Sequence, residues 1–516
     1  MFRIGRQAQH RLIDLEAAGM TDTVPDYEAI IVGTGFGGMG AAIQLGRLGI
    51  KSILMLDRAD ALGGTWHLNT YPGLAVDIAS FTYSYSFELN PNWSRLYAPG
   101  AELKAYAEHI ADKYRLRAYM RFNSAVEKAV YDEQRRCWTV HPAGQPPVTA
   151  GILIMASGFL SQPKKPDIPG IDSFAGKVIH TAAWDHGYDL NGKRAAVIGT
   201  GATAVQLLPK IAPKLKQMTV YQRTAIWVTP KFDGPISPRM RRLFAALPLV
   251  QRCMRWISSG ILELIMVTGV LYNKQLPFIT RYMERVCKAH IGRQIKDPAL
   301  RAKLTPDYSF GCKRPTFSNS YYRTFNRDNV ELVTEGIERI EPDGIVTADG
   351  RKRQIDTLVL ATGYSLWEEN FPAIKILGRD GLNLGHWWRQ NRFQAYEGVS
   401  VPGFPNLFHL PSPYAYSGLS YFTTIEAQMK HMARCLREMK RRKARTFEIS
   451  RAANDDFLRE MKQRVQRSVF VNGNCALSRS YYFNQHGEAT LLRPTSSIAA
   501  LWQAGRYPLK HYSFET

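Results

Sequence analysis

Two glycine-rich turns constrain the fold of this 516-residue chain more than any other feature. The first, at residues 33–38 (GTGFGG), follows the apolar run 29–32, and the second, at 199–204 (GTGATA), follows the run 194–198. A strand, a turn of the form G-x-G-x-x-G/A and a helix together open a nucleotide-binding βαβ unit. Two such units predict an α/β chain with two Rossmann-like dinucleotide-binding domains.

The first turn carries the features of a site for a dinucleotide with a free ribose hydroxyl. Its glycines let backbone N–H groups approach a pyrophosphate at the helix N-terminus. An acidic residue follows the next strand (52–56), where a carboxylate can accept hydrogen bonds from a ribose 2′-OH. The predicted contacts are Gly33, Gly35, Phe36, Gly38 and Asp57.

The second turn lacks that acid, because its next strand (218–222) is followed by Arg223 and Thr224. An arginine can pair with a 2′-phosphate, which a carboxylate would repel. We therefore predict FAD at the first turn and NADP at the second, although Arg223 could also be a solvated surface residue. The predicted contacts here are Gly199, Thr200, Gly201, Ala202, Thr203, Ala204, Arg223 and Thr224.

These signals predict a domain organisation. Residues 1–26 form an N-terminal arm, and 27–162 with 380–516 form a discontinuous FAD-binding domain. Residues 163–379 form the NADP-binding domain, which includes an apolar strand at 355–360 and a basic helical insertion at about 231–304.

The charge and the cysteines narrow the choice of function. The chain has 67 Lys and Arg against 44 Asp and Glu, a net charge of +23, which suits phosphate-bearing cofactors, anionic membranes or nucleic acid. No nucleic-acid reading module is apparent, so we predict no nucleic-acid partner. The six cysteines form no C-x-x-C pair, which predicts reduced thiols, no metal site and no dithiol reductase chemistry.

Localisation leaves two interpretations open. Residues 1–20 lack the apolar core of a signal peptide, which predicts a cytoplasmic protein. The most apolar run, 256–272, contains Glu263 and follows several arginines within 239–255, and a second basic stretch spans 437–445. These segments could make a peripheral contact with the inner face of the membrane. We favour the alternative of a buried core helix with a solvated basic face.

A segment between the two units carries a resemblance to a known family. Residues 174–185 read F-x-G-x-x-x-H-x-x-x-W-D, through Phe174, Gly176, His180, Trp184 and Asp185. With the stretches 157–161, 325–330, 361–363 and 403–408, this segment resembles the type I Baeyer–Villiger monooxygenases, which are class B flavin-dependent monooxygenases. The Trp-Asp ending favours that family over its heteroatom-oxidising relatives.

The resemblance implies an activity. FAD reduced by NADPH would react with O₂ to give a C4a-peroxyflavin, which inserts one oxygen atom next to a ketone carbonyl to form an ester or lactone. An S- or N-oxygenating flavin monooxygenase is the alternative. The expected partners are O₂ and a small, lipophilic ketone or thioether.

The resemblance also assigns residues. Arg314 would stabilise negative charge at the reacting centre, Asp77 would orient Arg314, and Lys313 would contact the NADP 2′-phosphate region. Four residues are expected on the flavin side, Gly64, Thr65, Trp66 and Tyr83. His180 is expected in a structural or gating hydrogen-bond role in this interdomain segment, and Trp184 is expected to pack within the same segment. The chain departs from the family pattern at 410–421 and 470–516, so its sequence does not define the substrate.

Overall fold

The computed structural model of the chain describes residues 24–516, except positions 368, 417 and 419 and the side chain of Met266. Most of the predicted N-terminal arm, and the region considered for a signal peptide, therefore lie outside the described residues.

The first glycine turn belongs to a sheet that has eight strands within the described residues. The strands are β1 (Tyr27–Val32), β2 (Ile53–Leu56), β3 (Met120–Arg121), β4 (Val126–Asp132), β5 (Cys137–Pro142), β6 (Val148–Met155), β17 (Lys375–Leu377) and β18 (Leu407–His409). Their order in the sheet is β17-β4-β5-β6-β1-β2-β3, with β18 also beside β6. The central strand β1 pairs in parallel with β2 and β6. Burial on both faces explains why β1 is a nearly continuous apolar run.

The second glycine turn belongs to a separate parallel sheet. Its strands are β7 (Lys177–His180), β8 (Arg194–Ile198), β9 (Gln217–Tyr221), β12 (Val330–Val333) and β16 (Thr357–Leu360). Their order in the sheet is β12-β9-β8-β16-β7. The smaller ribbons are β10 (Val228–Thr229) with β11 (Thr316–Phe317), β13 (Ile337–Glu341) with β14 (Gly344–Thr347) and β15 (Lys352–Gln354), and β19 (Thr446–Ile449) with β20 (Tyr512–Glu515).

Helices cover the sheets and form the insertion. Those outside the insertion are α1 (Phe36–Arg47), α2 (Thr65–Leu68), α3 (Gly100–Lys113), α4 (Ala202–Ile211), α10 (Tyr321–Thr324), α11 (Leu384–Gln390), α12 (Tyr421–Arg441), α13 (Arg451–Val465), α14 (Val469–Asn472) and α15 (Ser497–Ala504). The insertion contains α5 (Pro238–Ala246), α6 (Pro248–Leu262), α7 (Gly269–Leu271), α8 (Pro277–Gln294) and α9 (Pro298–Leu304).

The predicted fold class, with two Rossmann-like units and a helical insertion, is confirmed. The predicted strands 29–32, 52–56, 194–198, 218–222 and 355–360 fall on β1, β2, β8, β9 and β16. The proposed division into domains stays a prediction, with one change. Because β17 pairs with β4, the chain is back in the first sheet at Lys375 and not at residue 380.

The structure corrects the expectation for two cysteines. Cys312 and Cys475 form a disulfide, so the prediction of reduced thiols is wrong for this pair, while Cys137, Cys253, Cys287 and Cys435 are free. The two partners are 163 positions apart, so no local spacing could indicate the bond. It ties the loop before Lys313 to the C-terminal segment.

The structure also corrects the expectation of a buried apolar helix. Residues Pro248–Leu271 form one helical rod, but only 29% of its most apolar stretch is buried. Trp256, Ile257, Ile261 and Leu264 are 54–66% exposed. By length and composition alone this rod could cross a membrane.

Candidate active site

Both glycine-rich turns open into one cavity of about 1440 Å³. Most of the predicted contacts line it, namely Gly33, Gly35, Phe36, Asp57, Gly64, Thr65, Trp66, Asp77, Tyr83, Gly199, Thr200, Gly201, Ala202, Thr203, Arg223, Thr224, Lys313 and Arg314. Gly38 and Ala204 do not line the cavity. The fold therefore brings the two predicted nucleotide sites and the predicted catalytic pair to one place.

The first turn is shaped for a close backbone approach. Gly33 has φ of +110°, and a Cβ there would lie 2.4 Å from the Ala156 carbonyl oxygen. A Cβ on Gly38 would lie 1.9 Å from the carbonyl oxygen of Gly33. Asp57 Oδ2 accepts hydrogen bonds of 2.7 Å from both N–H and Oγ1 of Thr34. These residues fit the phosphate and ribose of FAD, with the carboxylate held toward the cavity.

The second turn repeats this geometry. Gly199 has φ of +112°, and a Cβ there would lie 2.4 Å from the Ala361 carbonyl oxygen. Gly201 precedes α4, and a Cβ on it would meet no atom within 4 Å. Ala204 is fully buried in the domain core, which accounts for alanine in the third position. The backbone here is open toward a second dinucleotide.

Three cations lie beside the second turn without a carboxylate. Arg223, Lys313 and Arg479 all line the cavity, and none of them has an ion-pair partner among residues 24–516 as described. Burial, with the charge of Arg223, lowers the pKa of Lys313 to about 8. Burial and the charge of Arg479 lower the pKa of Arg223. A cluster of unpaired cations fits the 2′-phosphate of NADP.

Arg314 is held by a carboxylate and a phenol. Its Nε and Nη2 donate to the two carboxylate oxygens of Asp77 at 2.6 and 2.9 Å, and its Nη1 donates to Tyr416 Oη at 2.8 Å. Both members of the ion pair keep 22–27% exposure because they face the cavity. Although burial opposes it, the Arg314 charge holds the pKa of Asp77 below its usual range. The pair is therefore charged, and the guanidinium is fixed in direction.

The chain is similar in sequence to known proteins over most of its length. A family model described as pyridine nucleotide-disulphide oxidoreductase matches residues 30–253. A Baeyer–Villiger monooxygenase of Streptomyces coelicolor is 38% identical over 484 residues, which cover 93% of this chain and 91% of that protein. One from Pseudomonas aeruginosa is 39% identical over 455 residues, or 88% and 85% of the two chains. The chain belongs to the Baeyer–Villiger monooxygenase family.

Solved structures of other monooxygenases support this family assignment. A steroid monooxygenase bound to NADP has a TM-score of 0.84 at 29% identity, over 95% of this chain and 99% of that one. A structure entitled OTEMO complex with FAD and NADP has a TM-score of 0.83 at 28% identity, over 95% and 100% of the chains. The predicted class, an FAD- and NADPH-dependent flavoprotein monooxygenase, is confirmed.

The dithiol chemistry in the family model's description has no counterpart in the monooxygenase cavity. Residues 30–253 contain Cys137, which is buried, and Cys253, which is exposed on α6. No described cysteine lines the cavity, and the Cys312–Cys475 disulfide lies outside the matched range. In the described part of the chain, no group of three or more His, Cys, Asp or Glu residues could hold a metal ion.

The structure places the flavin-side aromatic residues together. Trp66 Nε1 donates to Tyr83 Oη at 3.1 Å, and the two rings meet edge to face with centroids 5.5 Å apart. Burial raises the pKa of Tyr83, so its hydroxyl is neutral. Gly64, with φ of +55°, precedes α2 and lies against Gly35.

The signature segment of the monooxygenase lies outside the cavity. His180 Nδ1 accepts from the N–H of Ala182 at 3.1 Å, and burial lowers its pKa. Gly176 is required, because a Cβ there would lie 2.5 Å from the Asp356 carbonyl oxygen. Asp185 pairs with Lys177 at 2.6 Å. These contacts lie within the second sheet unit and away from the cavity, so the interdomain role expected for the signature stays a prediction.

The two aromatic residues of the signature also lie away from the cavity. Phe174 is 8% exposed within one core cluster, and Trp184 packs against the core around α4. Neither side chain lines the cavity.

Sequence reasoning missed three residues that line the cavity, namely Tyr416, Arg479 and Tyr481. All three lie in the segments that depart from the family pattern. The two tyrosines had one signal in the sequence, which is that these segments are rich in tyrosine. Arg479 had no neighbouring motif that indicated a phosphate site.

Gly201 tests the second turn without disturbing the fold. We expect Gly201→Ala to keep the melting temperature, because its Cβ meets no protein atom, and to raise KM for NADPH about 10-fold by blocking the backbone approach to the pyrophosphate. Gly46→Ala is the matched control, since Gly46 is exposed in α1 and also has no atom within 4 Å. Its KM should stay at the wild-type value. An unchanged KM in Gly201→Ala would contradict the assignment.

The pKa of Lys313 predicts a pH dependence of NADPH binding. Below about pH 8 the amine is protonated and attracts the 2′-phosphate, and above that pH it becomes neutral. We expect KM for NADPH to rise roughly 10-fold from pH 7 to pH 9, with little change for NADH. Steady-state kinetics with Lys313→Arg provide the control, because arginine stays charged and should flatten the profile. A pH-dependent loss that persists in Lys313→Arg would assign the effect elsewhere.

Proposed function

We propose that this enzyme inserts one oxygen atom from O₂ next to the carbonyl of a lipophilic ketone, giving an ester or lactone. The observation that carries the proposal is the fixed Arg314–Asp77 pair at the meeting point of the two nucleotide sites.

The residues fit both cofactors. Gly33, Gly35 and Asp57 would hold FAD, while Gly199, Gly201 and the cluster of Arg223, Lys313 and Arg479 would hold NADP. When bound and reduced, the flavin supplies the electrons that activate O₂ for transfer to the substrate.

Arg314 supplies a fixed positive charge. Asp77 takes two of its N–H groups and Tyr416 a third, which leaves one on Nη1 and one on Nη2 without a protein acceptor in the described residues. These two groups can stabilise the negative charge that develops on the ketone oxygen. Because guanidinium does not lose its proton, the charge is present at every working pH. Asp77 acts through Arg314 and is a positioning residue.

The substrate side is apolar. A second cavity of about 60 Å³ shares Arg314 with the large one and is otherwise lined by residues such as Ile78, Leu262, Val267 and Leu492. These side chains offer no hydrogen bonds, so they select carbon-rich groups next to the reacting carbonyl. This cavity supports a lipophilic substrate. We also propose a cytoplasmic enzyme that makes peripheral contact with the inner face of the membrane.

Product analysis tests the proposal. The purified enzyme with FAD, NADPH and O₂ is given a panel of ketones and thioethers, and the products are identified by mass. We expect ketones to gain one oxygen atom and to yield products that hydrolyse as esters. Sulfoxides alone would move the enzyme to the heteroatom-oxygenating alternative and contradict the role of Arg314.

A further inference from the structure

We propose that the outer face of the rod Pro248–Leu271, with the neighbouring helix α5, docks on an anionic lipid surface. This surface is called the insertion face below. The exposed residues of this face are the support for docking. Only the suggestion that docking delivers the substrate rests on the proposed function.

The insertion face carries an apolar stripe at helical spacing. Its exposed members recur at three- and four-residue intervals, as one face of an α-helix requires, and the large apolar ones are 54–66% exposed. The members are Leu249, Cys253, Trp256, Ile257, Gly260, Ile261 and Leu264. Leu243 and Leu247, at the end of α5, extend the stripe with exposures of 39% and 55%. A contiguous apolar surface of this kind is typical of an interaction site.

The opposite face of the rod is fixed to the protein. Arg255, which is 9% exposed, donates to the carbonyl oxygens of Phe81 and Ser84 at 3.2 and 2.8 Å. Gln251 donates to the Asn90 carbonyl oxygen at 2.6 Å. These buried polar contacts hold the rod against the enzyme, so it lies along a bilayer surface and does not cross it.

The charged residues of the sequence around the rod are almost all basic. Between Asp233 and Glu284 the sequence contains one acid, Glu263, which is 8% exposed and accepts a hydrogen bond from the N–H of Ser497. The exposed cations of this stretch are Arg239, Arg242, Arg252, Lys274 and Arg281. None of these has an ion-pair partner among the residues that the structure describes. Unopposed cations beside an apolar stripe complement anionic headgroups above hydrocarbon.

The chemistry favours a lipid surface over nucleic acid. Nucleic acid would satisfy the cations, but its sugar–phosphate backbone offers little to bury Leu249, Ile261 and Leu264. A bilayer interface satisfies both sets, and exposed tryptophan such as Trp256 is characteristic of that interface.

The same rod connects the insertion face to the substrate cavity. Its inner residues Leu262, Val267, Val270 and Leu271 line the small apolar cavity beside Arg314. A lipophilic ketone dissolved in the bilayer would therefore meet the active site across the thickness of one helix. This places the hydrocarbon source of the substrate next to the group that would polarise its carbonyl.

Vesicle flotation of the intact enzyme tests the docking. We expect it to float with phosphatidylcholine vesicles that contain phosphatidylglycerol at low salt, and to be released by high salt. Ile261→Ser, and separately Arg239→Glu with Arg242→Glu, should each lower the bound fraction roughly 10-fold. The matched controls are Val178→Ser, an exposed residue on β7, and Lys214→Glu with Lys216→Glu, which make the same charge change on the NADP-binding unit.

Several outcomes would overturn the proposal. They are no flotation at low salt, equal loss in the control variants, and resistance to alkaline extraction, which would indicate a spanning helix. A wild-type dimer that Ile261→Ser converts to a monomer would assign the face to a second copy of the chain. Duplex DNA that displaces the enzyme from vesicles and binds more tightly would assign it to nucleic acid. Turnover of a water-soluble ketone is measured separately, so failed docking and failed oxygenation are distinguishable.

Discussion

Replacing Arg314 by alanine is expected to lower ketone oxygenation by at least 10²–10³-fold, the range found when one fixed donor to a developing oxyanion is removed. The guanidinium is the group that can present two N–H bonds and a permanent charge to the ketone oxygen in this part of the cavity. The glycine turns that would hold FAD are untouched, so the protein should still purify with flavin. Anaerobic reduction of that flavin by NADPH, followed by its absorbance, should remain near the wild-type rate.

Two further variants separate charge from position. Arg314→Lys keeps the charge but cannot pair with both oxygens of Asp77, so we expect an intermediate loss. Asp77→Asn keeps Arg314 but removes the opposing charge that fixes it, so kcat should fall with little change in KM for NADPH. Wild-type ester formation in Arg314→Ala, measured by product mass, would remove Arg314 from the mechanism.

The parts of the fold that sequence predicts are those set by local backbone chemistry. Gly33 and Gly199 have almost the same φ, and each faces the carbonyl oxygen of an alanine that directly follows a neighbouring strand, Ala156 or Ala361. A side chain cannot fit there, so the glycine spacing identifies the strand, the turn and the helix together. Asp57 follows from the same logic, because the end of β2 lies beside that turn.

The parts that sequence could not supply depend on contacts between distant segments. Tyr416 meets Arg314 across 102 positions, and Cys312 meets Cys475 across 163.

The insertion shows a different limit of prediction from sequence. Its apolar spacing defines a helix with one apolar face, but the same spacing suits a helix packed in a core and a helix that faces outward. Burial of Arg255 and Glu263, while Trp256, Ile257 and Ile261 stay exposed, shows how the rod is oriented.

Replacing Arg223 by alanine is expected to raise KM for NADPH about 100-fold, or ~2.7 kcal/mol of lost binding, and to leave NADH nearly unaffected. Arg223 and Lys313 lie at the second turn with no carboxylate partner in the described residues, so both charges are available to a 2′-phosphate. NADH lacks that phosphate, and kcat/KM for the two cofactors isolates the interaction. Equal losses for NADPH and NADH would show that Arg223 supports the domain and does not read the phosphate.

The coupling between these cations adds a second readout to the same variant. The charge of Arg223 contributes to the lowered pKa of Lys313, so removing it should move that pKa upward from about 8. The rise of KM for NADPH with pH should then begin at a higher pH than in the wild type, even though KM at pH 7 is larger.

Arg479→Ala is the comparison, because Arg479 acts on the pKa of Arg223 and is not among the causes of the Lys313 shift. It should weaken NADPH binding without moving the pH at which binding is lost. If Arg223→Ala does not change the pH at which KM for NADPH begins to rise, the charge of Arg223 does not act on Lys313. The 2′-phosphate site of NADP must then be assigned to Arg223 and Arg479 alone.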